Sequence, residues 1–206
     1  MSLEKHSLTS LTPRQRRREK TKQAILQTAR ELIRGRGADN LSLREIARRI
    51  DYSPAGLYEY FDGKDDIVAA LCSDGFNRLA SYLERVPTGL PPDKRIVELG
   101  LAYLQFASQN PEIYALIFNN IPSGFTTLEQ IDEQASTYRL LQEAVQAGID
   151  TKTFTPRGDF ALQEMAYSFW ALVHGIASLG LTQLRELQSD LGPVNRRALE
   201  LFTNAL

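Results

Sequence analysis

The sequence predicts an all-α protein, and three observations carry that expectation. Apolar residues recur three and four positions apart along nearly the whole chain, the period of helices with one buried face. Strand-like alternation of apolar and polar residues is almost absent. Ser, Thr, Asp or Asn followed by proline or an acidic residue recurs at helix-length intervals, marking successive N-termini. Three short basic helices come first, then five or six longer ones around a larger core.

The first helix opens at Thr12-Pro13-Arg14-Gln15, a threonine cap with proline at the first helical position and glutamine three residues after the cap. Ala24, Ile25, Ala29, Leu32 and Ile33 form its inner stripe, and Gly35 and Gly37 end it. Ser42-Leu43-Arg44-Glu45 reads as a full capping box for a second helix, which turns Leu43, Ile46, Ala47 and Ile50 one way and stops at Asp51-Tyr52. Ser53 caps a third helix within "SPAGLYEYF", residues 53–61, with Pro54 where a missing N–H does no harm. A fourth helix starts after Gly63, with Asp65 and Asp66 on the positive end of its dipole, and runs to about Arg85. Asp93 opens a fifth helix reaching Ser108, and Asn110-Pro111-Glu112 caps a sixth. Residues 122–125 read as a loop containing Phe125, and Thr126-Thr127-Leu128-Glu129 as the start of a seventh helix ending near Gly148. An apolar helix over 159–186 and a short one from Pro193 complete the chain.

Composition bounds what such a chain can do. Its 206 residues fit one large domain, or a small one fused to a larger one; the turn at 62–66 suggests the second, with domains at 1–62 and 63–206. No apolar run reaches membrane-span length and no charged-then-apolar leader is present, so neither a membrane nor secretion is expected. The single cysteine, Cys72, excludes an internal disulfide framework and fits a reducing cytoplasm. With His6 and His174 as the histidines, a metal site of Cys and His ligands is not expected. Hydrolase, kinase and dinucleotide motifs are missing, so neither an enzyme nor a cofactor is expected.

The formal charge of −1 hides a split. Residues 1–50 hold 13 Lys and Arg against 5 Asp and Glu, a net of +8, and the remainder holds 11 against 20, a net of −9. A basic end suggests an anionic partner such as nucleic acid, although a solvated helix face would look the same by charge alone.

Two short helices joined by a tight turn make a helix-turn-helix, whose second helix in the DNA-binding version enters the major groove. Pro54 and Ala55 can pack on thymine methyls, and Gly56 gives the backbone clearance to approach the groove. Leu57 and Phe61 anchor the helix on Ile46 and Ala47, leaving the hydroxyls of Tyr58 and Tyr60 to donate to phosphates. Arg44 is the candidate for a bidentate guanine contact; Ser42, Tyr52 and Lys64 are candidate phosphate clamps, beside the cap residue Ser53. "RQRRREK" at 14–20 can supply salt-dependent affinity blind to sequence. The tyrosines taken singly also fit half-buried core aromatics with a wet hydroxyl.

Residues 20–71, "KTKQAILQTARELIRGRGADNLSLREIARRIDYSPAGLYEYFDGKDDIVAAL", resemble the DNA-binding domain of TetR-family transcriptional regulators. The resemblance implies an all-α homodimer with a C-terminal ligand-sensing domain that controls operator binding. Asp51 departs from the family's usual glycine at the end of the second helix, and Tyr52 from a small apolar residue. "NPEIYALIF" at 110–118 and "FWALVHGIASL" at 169–179 resemble a subgroup with a Trp-x-x-x-His-Gly signature, here Trp170, His174 and Gly175.

Trp170 and His174 lie one turn apart, as a pocket wall or as packing at a dimer interface. Candidate walls of an effector pocket are Tyr103, Phe106, Tyr114, Phe118, Phe125, Tyr138, Phe169 and Trp170 with His174, suited to an unidentified lipophilic or aromatic molecule. Excess apolar surface on 159–186, with Val194, Ala198, Leu201, Phe202 and Ala205 beyond it, predicts a homodimer through 159–186 and 193–206. The expected mechanism is a repressor on a palindromic operator, released when an effector tilts the fourth helix. An architectural or division-linked DNA-binding protein without an effector shares every feature but the pocket.

Overall fold

A computed structural model describes residues 12–119, 136–187 and 189–206. Their regular elements are helical, apart from an isolated antiparallel bridge between Arg157 and Phe160. The chain divides into two compact units, Met1–Ser73 and Asp74–Leu206.

In the first unit α1 covers Pro13–Arg36, α2 covers Leu43–Arg49 and α3 covers Pro54–Leu57, with a 3-10 turn at Ala38–Asn40. Thr12 and Gln15 exchange both capping-box bonds: Gln15 N–H donates to Thr12 Oγ1 at 3.3 Å and Thr12 N–H to Gln15 Oε1 at 2.8 Å. Gly37, at φ +78°, closes α1 through its N–H on the Ile33 carbonyl. Ile25, Ala29 and Leu32 of α1 share the core with Ile46, Ala47, Leu57, Phe61, Ile67 and Leu71. The last two lie on α4 (Lys64–Leu83), so the unit ends inside that helix rather than at the turn at 62–63.

Two local expectations fail here. The capping box of α2 is half made: Ser42 Oγ accepts the Glu45 N–H at 3.4 Å, but the Glu45 carboxylate turns to Arg36 at 2.8 Å and Arg49 at 3.0 Å. Charge-assisted bonds to two guanidinium groups outweigh one bond to a backbone N–H. The helix expected over 53–61 is α-helical only at Pro54–Leu57; the N–H groups of Tyr58, Glu59 and Tyr60 then bond to carbonyls three residues back. The tighter 3-10 winding carries the chain into the turn before α4.

In the second unit α5 (Pro92–Gln109) is central, packing on α6 (Pro111–Asn119), α7 (Ser136–Asp150), α8 (Leu162–Leu181) and α9 (Gly192–Thr203). Phe106, Ile96, Ile117, Met165, Phe169, Val145 and Leu199 fill its core. Gly100 of α5 permits the close approach, since a Cβ there would stand 2.9 Å from Leu199 Cδ1 and 3.0 Å from Phe169 Cζ. The expected loop at 122–125, Phe125 and the predicted start of the seventh helix lie outside the described residues. The helix expected over 159–186 is shorter at both ends. Arg157 and Phe160 exchange two backbone bonds of 3.0 Å in a turn before it, and Thr182 leaves helical dihedrals with its hydroxyl on the Ser178 carbonyl.

Candidate functional site

The candidate DNA-reading residues lie on the first unit. Arg44, in the first turn of α2, is exposed and has no hydrogen-bond or ion-pair partner among the described residues. Its neighbour Glu45 stays ionised with its charge balanced: burial opposes ionisation, but the bonds and charges of Arg49 and Arg36 prevail and hold its pKa below the usual value. Ser42 and Ser53 accept backbone N–H groups as caps, which leaves each hydroxyl proton available as a donor. Pro54 and Ala55 are exposed, and Tyr58, at 58% exposure, is the most open of the tyrosines.

Gly56 has a different use from the expected clearance for DNA. A Cβ there would stand 2.7 Å from Tyr52 Cε1, so its bare face is covered by the Tyr52 ring. Asp51 supplies the entry to that arrangement. It sits in the left-handed region at φ 54°, and the following N–H, of Tyr52, bonds to the Ala47 carbonyl at 2.9 Å as in a glycine-terminated helix.

Tyr52 and Tyr60 meet edge to face with hydroxyls 3.3 Å apart. The shared bond, first, and the nearby charge of Tyr60 push the Tyr52 pKa upward. These two phenols therefore act as a pair, rather than as two separate donors. Lys64 is exposed, with its ammonium 3.4 Å from the Asp39 carbonyl.

Lys22 was not among the candidates, and Arg18 was one only as part of the basic run at 14–20. Arg18 Nη2 donates to the Glu59 carbonyl at 2.9 Å with its guanidinium 5.1 Å from the Tyr60 ring centre, and the Lys22 ammonium stands 5.6 Å from that of Phe61. Their spacing of four on α1 puts both on the face toward the turn after α3, a signal hidden inside the basic run. Arg14, Arg17, Arg18 and Lys20 border an open cleft of about 690 Å³ whose far side holds Tyr52 and Tyr60. Four basic side chains against one carboxylate, that of Glu59, give the cleft a net positive charge.

Of the candidate effector residues in the second unit, six form one connected aromatic group. Tyr103 and Tyr114 each place a hydroxyl 2.9 Å from His174 Nδ1. Tyr114 stacks on the imidazole at 5.5 Å, Phe118 lies 4.8 Å from it and Trp170 6.0 Å, and Tyr138 meets Trp170 edge-on at 5.7 Å. Burial drives the Tyr103 and Tyr114 pKa values up and that of His174 down, so all three are neutral at neutral pH.

Phe106 and Phe169 point elsewhere. Phe106 packs on Tyr82 and Phe169 on Phe202, both fully inside the core, since only one face of each helix can look into the cluster. Gln142 of α7 was missed: it is 5% exposed, donates to Gln163 Oε1 at 2.9 Å and leaves its own Oε1 without a hydrogen-bond partner among the described residues.

Two family descriptions match the chain: "Bacterial regulatory proteins, tetR family" over residues 25–71, and "Tetracyclin repressor-like, C-terminal domain" over residues 96–203. The HTH-type transcriptional regulator Rv1816 of Mycobacterium tuberculosis is 26% identical over 157 residues, covering 74% of this chain and 67% of its own. The solved structure of the regulatory protein SCO4313 is 30% identical with a TM-score of 0.71, covering 95% of this chain and 100% of its own. Bacillus subtilis FadR, solved in complex with stearoyl-CoA, has a TM-score of 0.69 at 13% identity and covers 89% of this chain and 98% of its own, a likeness of fold alone. No described helix is long and apolar enough to cross a membrane.

Proposed function

The chain belongs to the tetR family of bacterial regulatory proteins, and from that premise we propose a ligand-responsive repressor that binds a palindromic operator as a homodimer and is released by a small lipophilic or aromatic effector. Transcriptional regulation comes with the family. Ligand response rests on one observation: a neutral, hydrogen-bonded His–Tyr cluster walled by aromatic rings inside the second unit. Three polar groups satisfied by one another among aromatic rings match the makeup of small-molecule sites, where a few polar groups sit in an apolar wall. That FadR, with the same fold, was solved with stearoyl-CoA is consistent with a lipophilic occupant. Trp170, His174 and Gly175 are the ground for placing the chain in the Trp-x-x-x-His-Gly subgroup.

Each protomer brings Arg44 to a guanine edge, Pro54 and Ala55 to thymine methyls, and Ser42, Ser53, Tyr58 and Lys64 to phosphates. The Tyr52–Tyr60 pair and the basic flank of α1 hold the backbone beside them. α8 and α9 form the dimer surface, which accounts for the exposure of Tyr167 and Leu179 on α8 and of Val194 and Leu201 on α9. The reading part ends near residue 62 and the sensing part begins at 63, so that α4, from Lys64, belongs to the sensing part by role although its first turns complete the core of the first unit. The protein acts in the cytoplasm, without metal or cofactor.

Operator binding requires the two reading heads about 34–36 Å apart. An effector that binds better to the state with another spacing lowers operator affinity, and a fivefold to 150-fold change needs about 1–3 kcal/mol of coupling. Genomic DNA selection with the purified protein supplies the operator. Ligand affinity is then measured with and without it: coupling requires operator DNA to weaken the ligand by the factor by which the ligand weakens DNA. Equal ligand affinity in both conditions refutes the mechanism. Operator binding that no ligand alters, with no ligand-induced thermal shift, would instead favour the architectural reading.

A further inference from the structure

Two helices deliver hydrogen-bonding groups to an imidazole on a third. Tyr103 of α5 and Tyr114 of α6 both reach His174 Nδ1, and Tyr114 also reaches the His174 carbonyl at 3.3 Å. A neutral imidazole has one accepting nitrogen and one donating nitrogen, and the bonds made to one nitrogen settle the tautomer. The roles at Nδ1 follow from the tautomer, and two phenolic O–H groups within 2.9 Å of it favour the tautomer in which Nδ1 accepts. One hydroxyl fills its single lone pair, and Tyr114 has the carbonyl as its alternative. The ring proton then sits on Nε2, which has no hydrogen-bond partner among the described residues. In that tautomer Nε2–H is a ring donor of this cluster left uncommitted.

Access and charge narrow what such a donor meets. Tyr103 and Tyr114 are buried, whereas His174, Phe118 and Trp170 keep partly exposed surface. No Lys, Arg, Asp or Glu among the described residues hydrogen-bonds to these side chains, and burial is the one influence on the ionisation of His174. An anion entering here would lose its hydration without meeting a fixed cation.

We propose that the His174 cluster selects an uncharged effector: a compact aromatic or alicyclic molecule that presents a hydrogen-bond acceptor, such as a ketone or ester oxygen, to the Nε2–H of His174. The inference rests on the reading of the second unit as the sensing domain. Phe118, Trp170 and Tyr138 grip the ring system, and His174 sets its orientation. The Tyr103 and Tyr114 hydroxyls are positioning groups that hold the tautomer. Discrimination follows from polarity: a hydrocarbon of the same shape leaves Nε2–H unpaired, and a carboxylate is held out unless His174 takes up a proton.

Three probes with one ring system separate these terms: acetylnaphthalene offers an acceptor, ethylnaphthalene none, and naphthoate a charge. Binding to the full chain is read from quenching of Trp170, its single tryptophan, 6.0 Å from the His174 ring, and from thermal unfolding. Acetylnaphthalene should bind about twofold to tenfold more tightly than ethylnaphthalene, the worth of one neutral hydrogen bond, with naphthoate the weakest. The preference should vanish in His174→Phe, which cannot donate. It should persist in His174→Gln, whose amide still donates, which separates lost recognition from lost folding. Naphthoate binding as tightly as the ketone, or a ketone preference that survives His174→Phe, overturns the inference while leaving the sensing domain intact. If no probe quenches Trp170 or shifts unfolding, the reading of this cluster as an effector site falls, and the inference with it.

Discussion

Tyr103→Phe and Tyr114→Phe, made singly and together, test the proton accounting at His174. Both hydroxyls stand 2.9 Å from Nδ1, yet that nitrogen has one lone pair. Removing either hydroxyl leaves the other to fill it, so each single variant should lose only about 0.5 kcal/mol, the low end for a neutral hydrogen bond. Removing both leaves a half-buried acceptor unpaired, which costs about 1–3 kcal/mol. The double variant should therefore exceed the sum of the singles by about 1 kcal/mol, the size of coupling expected of two residues sharing one partner. For a chain of this length about 2–4 °C of melting temperature corresponds to each kcal/mol. Thermal and urea unfolding followed through Trp170, which lies in the same unit, reads the difference directly. Additive costs would refute the reasoning, since they would mean that each hydroxyl has an acceptor of its own.

Three further outcomes are expected. Arg44→Ala should cost about 1–3 kcal/mol of operator binding and relax selectivity at one base pair, read by affinity across single-base operator variants; unchanged binding would remove Arg44 from the base contacts. Gly100→Ala should gain about 1 kcal/mol of helix propensity but lose about 1–3 kcal/mol to overpacking against Leu199 and Phe169, so its melting temperature should fall, and a rise would show that the core yields. Burial holds the folded pKa of His174 below its unfolded value of about 6.5, so the unfolded chain takes up the proton first as pH falls. The stability this contributes is complete above about pH 6.5 and is lost as the pH drops from there through the folded pKa. Urea midpoints should show a matching acid slope that is shallower in His174→Phe; an identical slope would mean that His174 titrates as it does in the unfolded chain.

Much of the fold was legible because its signals are local. The Thr12–Gln15 box, Gly37 beyond α1 and Pro54 at the start of α3 act within a few residues, and each appears where the residues placed it. Glu45 shows where local reading stops: its capping partner was three residues away, but Arg36, nine residues away and brought close by folding, competed for the same carboxylate. Gly56 shows a second such limit. A bare backbone invites close approach, but what approaches is the Tyr52 ring of its own chain. In the second unit Phe106, Phe169, Tyr103 and Tyr114 were candidates alike, and composition could not separate the first two, which face the core, from the last two, which face His174.

By itself the amino-acid sequence determined a helical chain, a basic helix-turn-helix ahead of an acidic helical unit, and the residue types available for reading DNA and holding an apolar ligand. Periodicity, caps and charge are properties of neighbours along the chain and need nothing else. Tertiary structure alone decided that Tyr52 and Tyr60 share a hydroxyl contact, that Arg18 braces the Glu59 carbonyl, and that two tyrosines from different helices meet at His174 Nδ1. Those are meetings between residues up to 71 positions apart, and a hydrogen bond depends on where a donor and an acceptor arrive in space, which no spacing in the sequence encodes.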